Sequence, residues 1–280
     1  MSSNAARTLV ADNITIPTLP AVVERINALL EDPNAGTREV GAEIAKDAPL
    51  STRVLRIANS AAYGLRQRVV STEQASAVLG MKVLRNLALQ ASVIGKYEHL
   101  EGSGFDINSL WKQSILTGQT CSSMSRKAKT SFDLGPDELY TCGLLVDIGQ
   151  VVLLDYATDV YLAATQRASE AGRPLHEIEE ELLGFSHAEI GARLALRWGL
   201  PSEVVSAIQF SHGPQDEVEA DPTIALVELS SRLSGSVVAG DREAAEGSLD
   251  AARAVDLGLD QDAFAELVDG AFEALPSIEV

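Results

Sequence analysis

Few side chains in this chain are suited to metal or acid–base chemistry, and the most informative of them is Asp147. It lies inside a long apolar run, residues 136–156. A carboxylate in such a run must bond backbone amides or a neighbouring histidine, because an unpaired buried charge is costly. Carboxylate oxygen and imidazole nitrogen are also the atoms that bind divalent metals. The chain has four histidines to consider with it: His99, His176, His187 and His212.

Other kinds of active site find little support in the sequence. It contains no Gly-rich phosphate loop of Walker or dinucleotide type and no Gly-x-Ser-x-Gly elbow. The carboxylates Glu179, Glu180 and Glu181 are predicted to be solvated charge on a helix surface rather than an acid–base pair. Cys121 and Cys142 fall inside predicted helices and are predicted to be reduced core residues, with a redox pair as the alternative.

The stretch Leu144-Leu145-Val146-Asp147-Ile148-Gly149 resembles the core of the HD phosphohydrolase superfamily. In that superfamily the same stretch reads Leu-Leu-His-Asp-Ile-Gly, and the adjacent His and Asp both ligate a catalytic metal. Here Asp147 is present, but Val146 stands where the histidine should be. Valine has no lone pair to give a cation. The resemblance therefore implies a helical domain that kept the fold and lost the metal.

Four further motifs resemble, in order, the N-terminal half of the HDOD (HD-related output domain) family. They are Ile16-Pro17-Thr18-Leu19-Pro20, Asp47-Ala48-Pro49-Leu50, Asn59-Ser60-Ala61-Ala62-Tyr63-Gly64 and Val78-Leu79-Gly80. Single motifs of this kind are weak, but four in the right order, followed by the HD-like half, make a strong case. The match covers roughly residues 14–215. The chain is identified as a member of this family, a degenerate branch of the HD superfamily.

The resemblance allows each expected metal ligand to be checked, and several positions carry unsuitable residues. The histidine expected two residues after Trp111 is Gln113, whose neutral amide is a poor ligand for these metals. Val146 replaces the histidine of the His-Asp pair. The aspartate expected on a later helix falls in residues 227–231, where neither serine is an adequate replacement.

Three expected ligands remain at the positions of Asp147, His187 and His212. They could still hold a metal if they converged, but hydrolysis also needs an activated water in an open coordination position and commonly a second metal. We therefore expect no catalytic residue, no bound metal and no cofactor. His187 follows a helix cap and is expected to be partly exposed, and His99 and His176 are expected to be surface residues.

The charge of the chain is acidic and unevenly distributed. The net charge is −18, and residues 1–100 carry eleven Lys/Arg and nine Asp/Glu, whereas the remainder carries eleven and thirty-one. An acidic surface repels phosphate backbones and anionic lipid, which argues against nucleic-acid and membrane binding. No apolar run is expected to reach the length of a membrane span, and residues 1–13 lack the apolar stretch of a signal peptide. We expect a cytoplasmic protein.

The elements that must position these residues are predicted to be helices. Hydrophobic residues make up 46% of the chain and aromatic residues 5%, and the apolar residues recur at helical spacing. The predicted fold is all-α, a multi-helix HD-like bundle with an N-terminal helical lobe packed against a degenerate HD lobe. The predicted divisions are a flexible arm (1–13), the HDOD domain (14–215, with lobes at about 14–98 and 105–215) and an acidic helical extension on the HD-like lobe (216–280).

The family resemblance implies a non-catalytic output or scaffold module of bacterial signalling that acts through protein–protein interaction. The expected partners are signalling proteins, namely a response regulator, a kinase or a cyclic-dinucleotide enzyme, and the oligomeric state is left open. The candidate interaction residues, which could face a groove between the lobes or a partner, are Asn59, Ser60, Tyr63, Arg66 and Arg68. For Asn59 and Ser60 the alternative is that they only terminate a helix.

Two other functions stay open at this point. One is a residual metal-dependent phosphohydrolase. The other is an inactive-site sensor of a cyclic dinucleotide, in which the ligand would lie in the old site near Asp147 and the basic residues Arg53 and Arg56.

Overall fold

A computed structural model describes residues 17–60, 63–213 and 221–278 of the chain. Every regular element within these ranges is a helix, which confirms the predicted all-α class. The arm predicted for residues 1–13 lies outside the described residues.

The first five α-helices form a group in which α5 packs against α1, α3 and α4, and α2 packs against α4. Two of their starting points are those expected from the sequence, since the Asp47 carboxylate accepts the Leu50 amide at 2.9 Å and the Ser71 hydroxyl accepts the Gln74 amide at 3.1 Å. The helices are α1 (Ala21–Glu31), α2 (Thr37–Ala45), α3 (Ala48–Ala58), α4 (Thr72–Leu79) and α5 (Met81–Lys96).

The remaining helices are organised around a long one, α6, which packs against both α7 and α13, while α11 packs against α8 and α12. Short 3-10 turns follow α5 and the last helix, at Glu98–Leu100 and Leu275–Ser277. The helices are α6 (Ile107–Lys127), α7 (Pro136–Leu145), α8 (Ile148–Tyr156), α9 (Thr158–Ala171), α10 (Leu175–Leu183), α11 (His187–Arg197), α12 (Ser202–Gln209), α13 (Pro222–Val238), α14 (Arg242–Glu246), α15 (Ala251–Asp256) and α16 (Gln261–Ala274).

The apolar run that contains Asp147 forms α7 and α8, which are separated at Val146 and Asp147. Within the described residues, Pro136–Tyr156 is the one segment long and apolar enough to cross a membrane, with a mean hydropathy of 1.3. The expectation that no run reaches this length is therefore wrong. Its apolar window is 83% buried by the surrounding helices, as expected of helices at the centre of a folded core.

One hydrophobic core extends through most of the described helices, from Leu19 to Ile278. Helix α13 belongs to it, because Leu226, Val227 and Leu229 on that helix are completely buried. The acidic C-terminal part thus contributes apolar side chains to the same core. We retain as a proposal the division near residue 215, with α13–α16 as an extension on the HD-like lobe.

Helices α8 and α11 touch at their backbones, and glycine makes this contact possible. A Cβ atom on Gly149 would lie 1.8 Å from the carbonyl oxygen of His187 and 2.9 Å from the amide nitrogen of Gly191. No side chain fits in that space. The contact sets the first turn of α8, just after Asp147, directly against the first turn of α11, which begins at His187.

We predict that Gly149→Ala destabilises the protein by about 3 kcal/mol, because the added methyl group must push two backbones apart. Urea unfolding followed by circular dichroism measures this change. The control is Gly270→Ala on α16, where a new Cβ atom meets nothing within 4 Å. Since Ala favours helix over Gly, that variant should be equally stable or more stable by about 1 kcal/mol. Equal stability of the two variants would contradict the prediction.

Candidate functional site

The three remnant ligand residues meet in one place. Asp147 lies at the break between α7 and α8, His187 begins α11, and His212 follows the end of α12. The Nε2 atom of His187 is 3.4 Å from Asp147 Oδ1 and 3.0 Å from His212 Nε2. His212 Nε2 lies 3.9 Å from the same carboxylate oxygen. We call these three residues the histidine cluster.

Two of the exposures expected for the histidines are wrong. His187 is 2% exposed rather than partly exposed, because the contact at Gly149 holds the start of α11 against α8. His176 is half-buried rather than a surface residue, and its ring stacks on that of His212 with centroids 4.9 Å apart. His99 is exposed as expected and pairs with Asp155 at 2.8 Å.

Glu179 is the functional residue that the sequence interpretation missed, since it was predicted to be solvated and is completely buried. Its Oε2 atom lies 2.6 Å from Nδ1 of His187 and also accepts the backbone amide of His187 at 2.8 Å. A carboxylate behind a histidine commonly fixes the ring for metal binding. Leu175, Glu179 and Leu183 recur at intervals of four, a spacing that places Glu179 on the apolar face of α10.

The charges around His187 decide its protonation in the metal-free protein. Burial alone would lower the pKa of His187, but the carboxylates of Glu179 and Asp147 outweigh it and raise the pKa to about 10. Burial alone would raise the pKa of Asp147, yet its hydrogen bonds to His187 and His212 hold that pKa well below its usual range. At neutral pH the centre therefore contains an imidazolium between two carboxyl groups.

Amide groups, rather than imidazoles, complete the surroundings of Asp147. Gln113 Nε2 donates to Asp147 Oδ2 at 3.3 Å, and Gln150 Nε2 donates to Oδ1 at 2.9 Å. The hydroxyl of Tyr161 donates to the Gln150 side chain at 2.7 Å and holds it in place. Val146 is completely buried in the apolar core. Gln113 thus lies where the resemblance placed it, but as a hydrogen-bond donor.

A second carboxylate reaches the site from α13, within the stretch 227–231 where only the serines had been considered. This is Glu228, which together with Ser231 lines the cavity beside the cluster. Arg232 Nε lies 3.1 Å from its Oε1 atom, and Arg253 Nε donates to its Oε2 atom at 2.9 Å. Since two guanidinium groups hold it, Glu228 is a partner of arginines rather than of a metal.

The cluster opens into a cavity of about 500 Å³, which we call the cluster cavity. The ligand atoms of Asp147, His187 and His212 all lie within 4.8 Å of one another, which fits a single divalent ion bound by two imidazoles and one carboxylate. A second ion would need imidazoles at Gln113 and Val146, which neither residue offers. The donor set therefore suits one ion and not the binuclear centre that the superfamily resemblance implies.

The candidate interaction residues lie elsewhere, and none of them lines the cluster cavity. Both parts of the Asn59 amide are engaged, since its Nδ2 atom donates to Leu55 and Val69 carbonyls at 2.7 and 2.9 Å and its Oδ1 atom accepts the Val69 amide at 2.8 Å. Asn59 therefore joins the end of α3 to the following loop. The other four residues differ in exposure: Ser60 and Tyr63 are half-buried, and Arg66 and Arg68 are exposed.

The two arginines named for a nucleotide sensor are also separate from Asp147. Arg53 and Arg56 line another cavity, of about 280 Å³, together with Tyr97 and Trp111. Arg53 pairs with Glu98 there. The arginines belong to α3 and do not line the cluster cavity, which corrects the set of residues assigned to the nucleotide-sensor hypothesis.

A family model described as "HDOD domain" matches residues 16–214. The chain belongs to the HDOD family. The predicted membership is thereby confirmed, and the Asp147 stretch and the N-terminal motifs both lie within the match.

Relatives and solved structures agree with this assignment. An uncharacterized protein of Treponema pallidum (strain Nichols) is 32% identical over 220 residues; the match covers 78% of this HDOD chain but only 42% of that protein. The crystal structure of a candidate phosphohydrolase from Shewanella amazonensis SB2B is similar with a TM-score of 0.75 at 24% identity, over 98% of both chains. That of a candidate signal transduction protein from Marinobacter aquaeolei VT8 has a TM-score of 0.75 at 26% identity, over 95% of this chain and 59% of that one.

The similar structures establish the HD-like helical fold, and the family places the HDOD chain among signalling modules. The Treponema relative and the Marinobacter protein are both considerably longer than the matched part. Their complete activities and partners are therefore not assigned to this chain.

We predict that Glu179→Gln lowers the pKa of His187 from about 10, because the nearest carboxylate is removed, and destabilises the fold by about 3 kcal/mol at pH 7. The pKa of His187 is higher in the folded protein than its value of about 6.5 in the unfolded chain. Its protonation therefore stabilises the folded state fully below about pH 6.5, and this stabilisation is lost as pH rises to the pKa of the folded state. The destabilisation by Glu179→Gln relative to the wild type should therefore shrink progressively as pH rises from about 6.5 to about 10.

Nitrogen NMR of the histidine rings and urea unfolding between pH 6 and 10 measure both effects. The matched control is Glu180→Gln at the neighbouring, exposed position, which should leave the pKa of His187 unchanged and alter stability by no more than about 0.5 kcal/mol. An unshifted His187 in Glu179→Gln would contradict the prediction.

We also predict that Asn59→Ala lowers stability by about 2 kcal/mol, because it leaves the Val69 amide without its acceptor. Ser60→Ala at the next position should stay within about 0.5 kcal/mol of the wild type. Thermal and urea unfolding measure both variants. If Asn59→Ala is as stable as the wild type, the three hydrogen bonds of Asn59 do not anchor the loop.

Proposed function

We propose that this HDOD chain is a non-catalytic output or scaffold module of bacterial signalling, located in the cytoplasm, that works through protein–protein interaction. Its partner would be a response regulator, a kinase or a cyclic-dinucleotide enzyme. The main observation in support is the ligation chemistry around Asp147. Glutamine amides bond the carboxylate, and Val146 is completely buried at the position where the HD superfamily has a further imidazole ligand.

The hydrogen bonding of the carboxylates in the cluster cavity also supports a non-catalytic role. A divalent ion at the cluster would supply a Lewis acid and an activated water, but hydrolysis needs a group that accepts the water's proton. Among the described residues that line the cavity, the carboxylates are Asp147 and Glu228. Glu228 is held by two arginines and Asp147 is hydrogen-bonded on both oxygens, so neither carboxylate is available as a general base, and a hydrolase would depend on the imidazole of His176, whose ring is stacked on that of His212.

The loop after α3 supports the interaction role. Arg66 and Arg68 are exposed on it, and Val70 beyond them is 77% exposed, while Asn59 fixes the same loop at Val69. An exposed loop with two cations and an apolar side chain, held on a fixed base, suits an acidic partner surface with an apolar centre.

A residual phosphohydrolase is the second candidate, and the convergence of Asp147, His187 and His212 is the observation that favours it. Metal analysis and turnover assays separate the two functions. Purified protein would be loaded with Mn²⁺ or Fe²⁺ and assayed with cyclic dinucleotides and guanosine tetraphosphate. We expect no turnover, whether or not one ion binds. Stoichiometric metal together with turnover that Asp147→Asn abolishes would favour the hydrolase.

We predict that the double variant Arg66→Glu/Arg68→Glu loses the specific partner that the wild-type chain recovers from cell extract, because the loop charge is reversed. Affinity capture with quantitative mass spectrometry measures the loss. The control, Arg38→Glu on α2, changes an exposed arginine outside the loop and should retain the partner. Equal recovery by the loop variant and the control would show that the loop is not the binding surface.

A further inference from the structure

A second cavity, of about 430 Å³, lies away from the histidine cluster and shares no lining residue with the cluster cavity. Its walls come from α5, α6, α7 and α16. We call it the α6–α16 cavity. Its volume lies in the range of small-molecule sites, about 300–1,000 Å³. The ligand chemistry of the cluster does not involve this cavity, nor do Arg66 and Arg68, although Tyr63 of the same loop contributes to its lining.

The wall formed by α16 consists of residues with little or no side chain. Gly270, Ala271 and Ala274 line the cavity, and a Cβ atom on Gly270 would meet nothing within 4 Å. Leu116 and Leu267 add apolar surface. Such a wall lets a flat, largely apolar group lie close against the helix backbone.

Two polar side chains in the lining of the same cavity, the buried Thr120 and the half-buried Gln119, make no hydrogen bond within the described residues. Thr120 is 4% exposed and lines the cavity, and its hydroxyl makes no hydrogen bond to any residue that the structure describes. The Gln119 amide beside it is likewise unbonded within those residues, whereas the Tyr63 hydroxyl is hydrogen-bonded to that of Tyr140. Thr120 and Gln119 therefore leave hydrogen-bonding groups free for a polar molecule in the cavity.

Along one face of α6 the side chains that line the cavity change from apolar to charged. Leu116, Gln119, Ser123 and Arg126 follow at intervals of three or four and all line the cavity. Polarity rises along them from a buried apolar side chain to an exposed guanidinium group. Lys127 pairs with Glu266, but Arg126 makes no ion pair within the described residues. An anionic group on the ligand would be placed at Arg126.

We propose that the α6–α16 cavity binds a nucleoside monophosphate. The planar base lies against Gly270 and Ala274, the sugar hydroxyls bond Gln119 and Ser123, and the phosphate lies at Arg126. The lining carboxylate of Asp137 suits the ring N–H and amino groups of a base and disfavours a purely apolar tail such as that of a fatty acid. The site would make the HDOD module responsive to a nucleotide, independently of whether its role in partner binding is correct.

Calorimetric titration of the full chain with each of the four common ribonucleoside monophosphates, the matching nucleosides and inorganic phosphate tests the proposal. We expect saturable one-to-one binding of at least one monophosphate. Its nucleoside should bind about tenfold more weakly, because the charge-assisted bonds to phosphate are lost. Arg126→Gln should weaken the monophosphate by a similar factor, and the control Arg38→Gln should not.

Gly270→Leu fills the cavity without meeting a neighbour at its Cβ atom and should abolish binding while circular dichroism shows a normal fold. Ala274→Leu blocks the same wall and replaces it as the test if Gly270→Leu fails to fold. Binding of none of the four monophosphates would overturn the proposal, as would equal affinity for nucleoside and monophosphate. Binding that survives the filled cavity but is lost in Arg232→Gln would place the nucleotide in the cluster cavity instead.

Discussion

The backbone contact between α8 and α11 is the constraint on which the centre of this molecule depends. A glycine at position 149 brings the first turn of α8 to within van der Waals contact of the His187 carbonyl, where a Cβ atom would overlap it at 1.8 Å. Asp147 and His187 stand at the starts of these two helices, so the contact that packs the core also sets the distance between carboxylate and imidazole. The same backbone contact therefore determines both the packing of the core and the geometry of the site. The packing of α8 against α11 therefore maintains the distance between Asp147 and His187.

Because of that geometry, charged side chains of the site are buried beside groups of opposite charge. His187 is enclosed between Asp147 and Glu179, and removing either carboxylate would leave a buried imidazolium without its partner. Glu228 at the cavity wall is likewise ion-paired, with Arg232 and Arg253. The site has thus become a set of mutually neutralised groups. Such a set of paired groups agrees with the non-catalytic role proposed above for a signalling module built on an HD-like fold.

Whether the sequence predicted each part of the fold and the site depended on how far apart in the chain the interacting residues lie. The caps at Asp47 and Ser71 were correctly expected because a cap needs only residues within one helical turn. Glu179 was misassigned because its neighbours Glu180 and Glu181 are solvated, although its spacing from Leu175 and Leu183 indicates the apolar face of α10; only the packing of α10 against the start of α11 shows that His187 is its partner. Glu228 was passed over because one of the partners that hold it at the cavity wall, Arg253, lies twenty-five residues away in the chain.

By itself, the sequence determined the helical class, the family and the missing ligands, since periodicity, caps and the identity of a residue at one position are local properties. A valine cannot donate an electron pair in any fold. Only the tertiary structure decided that Asp147, His187 and His212 converge, that Arg53 and Arg56 do not join them, and that a second cavity forms beside α16. These facts depend on how helices far apart in the chain pack, because the burial of apolar faces, rather than any one motif, sets the distances between the side chains those helices carry.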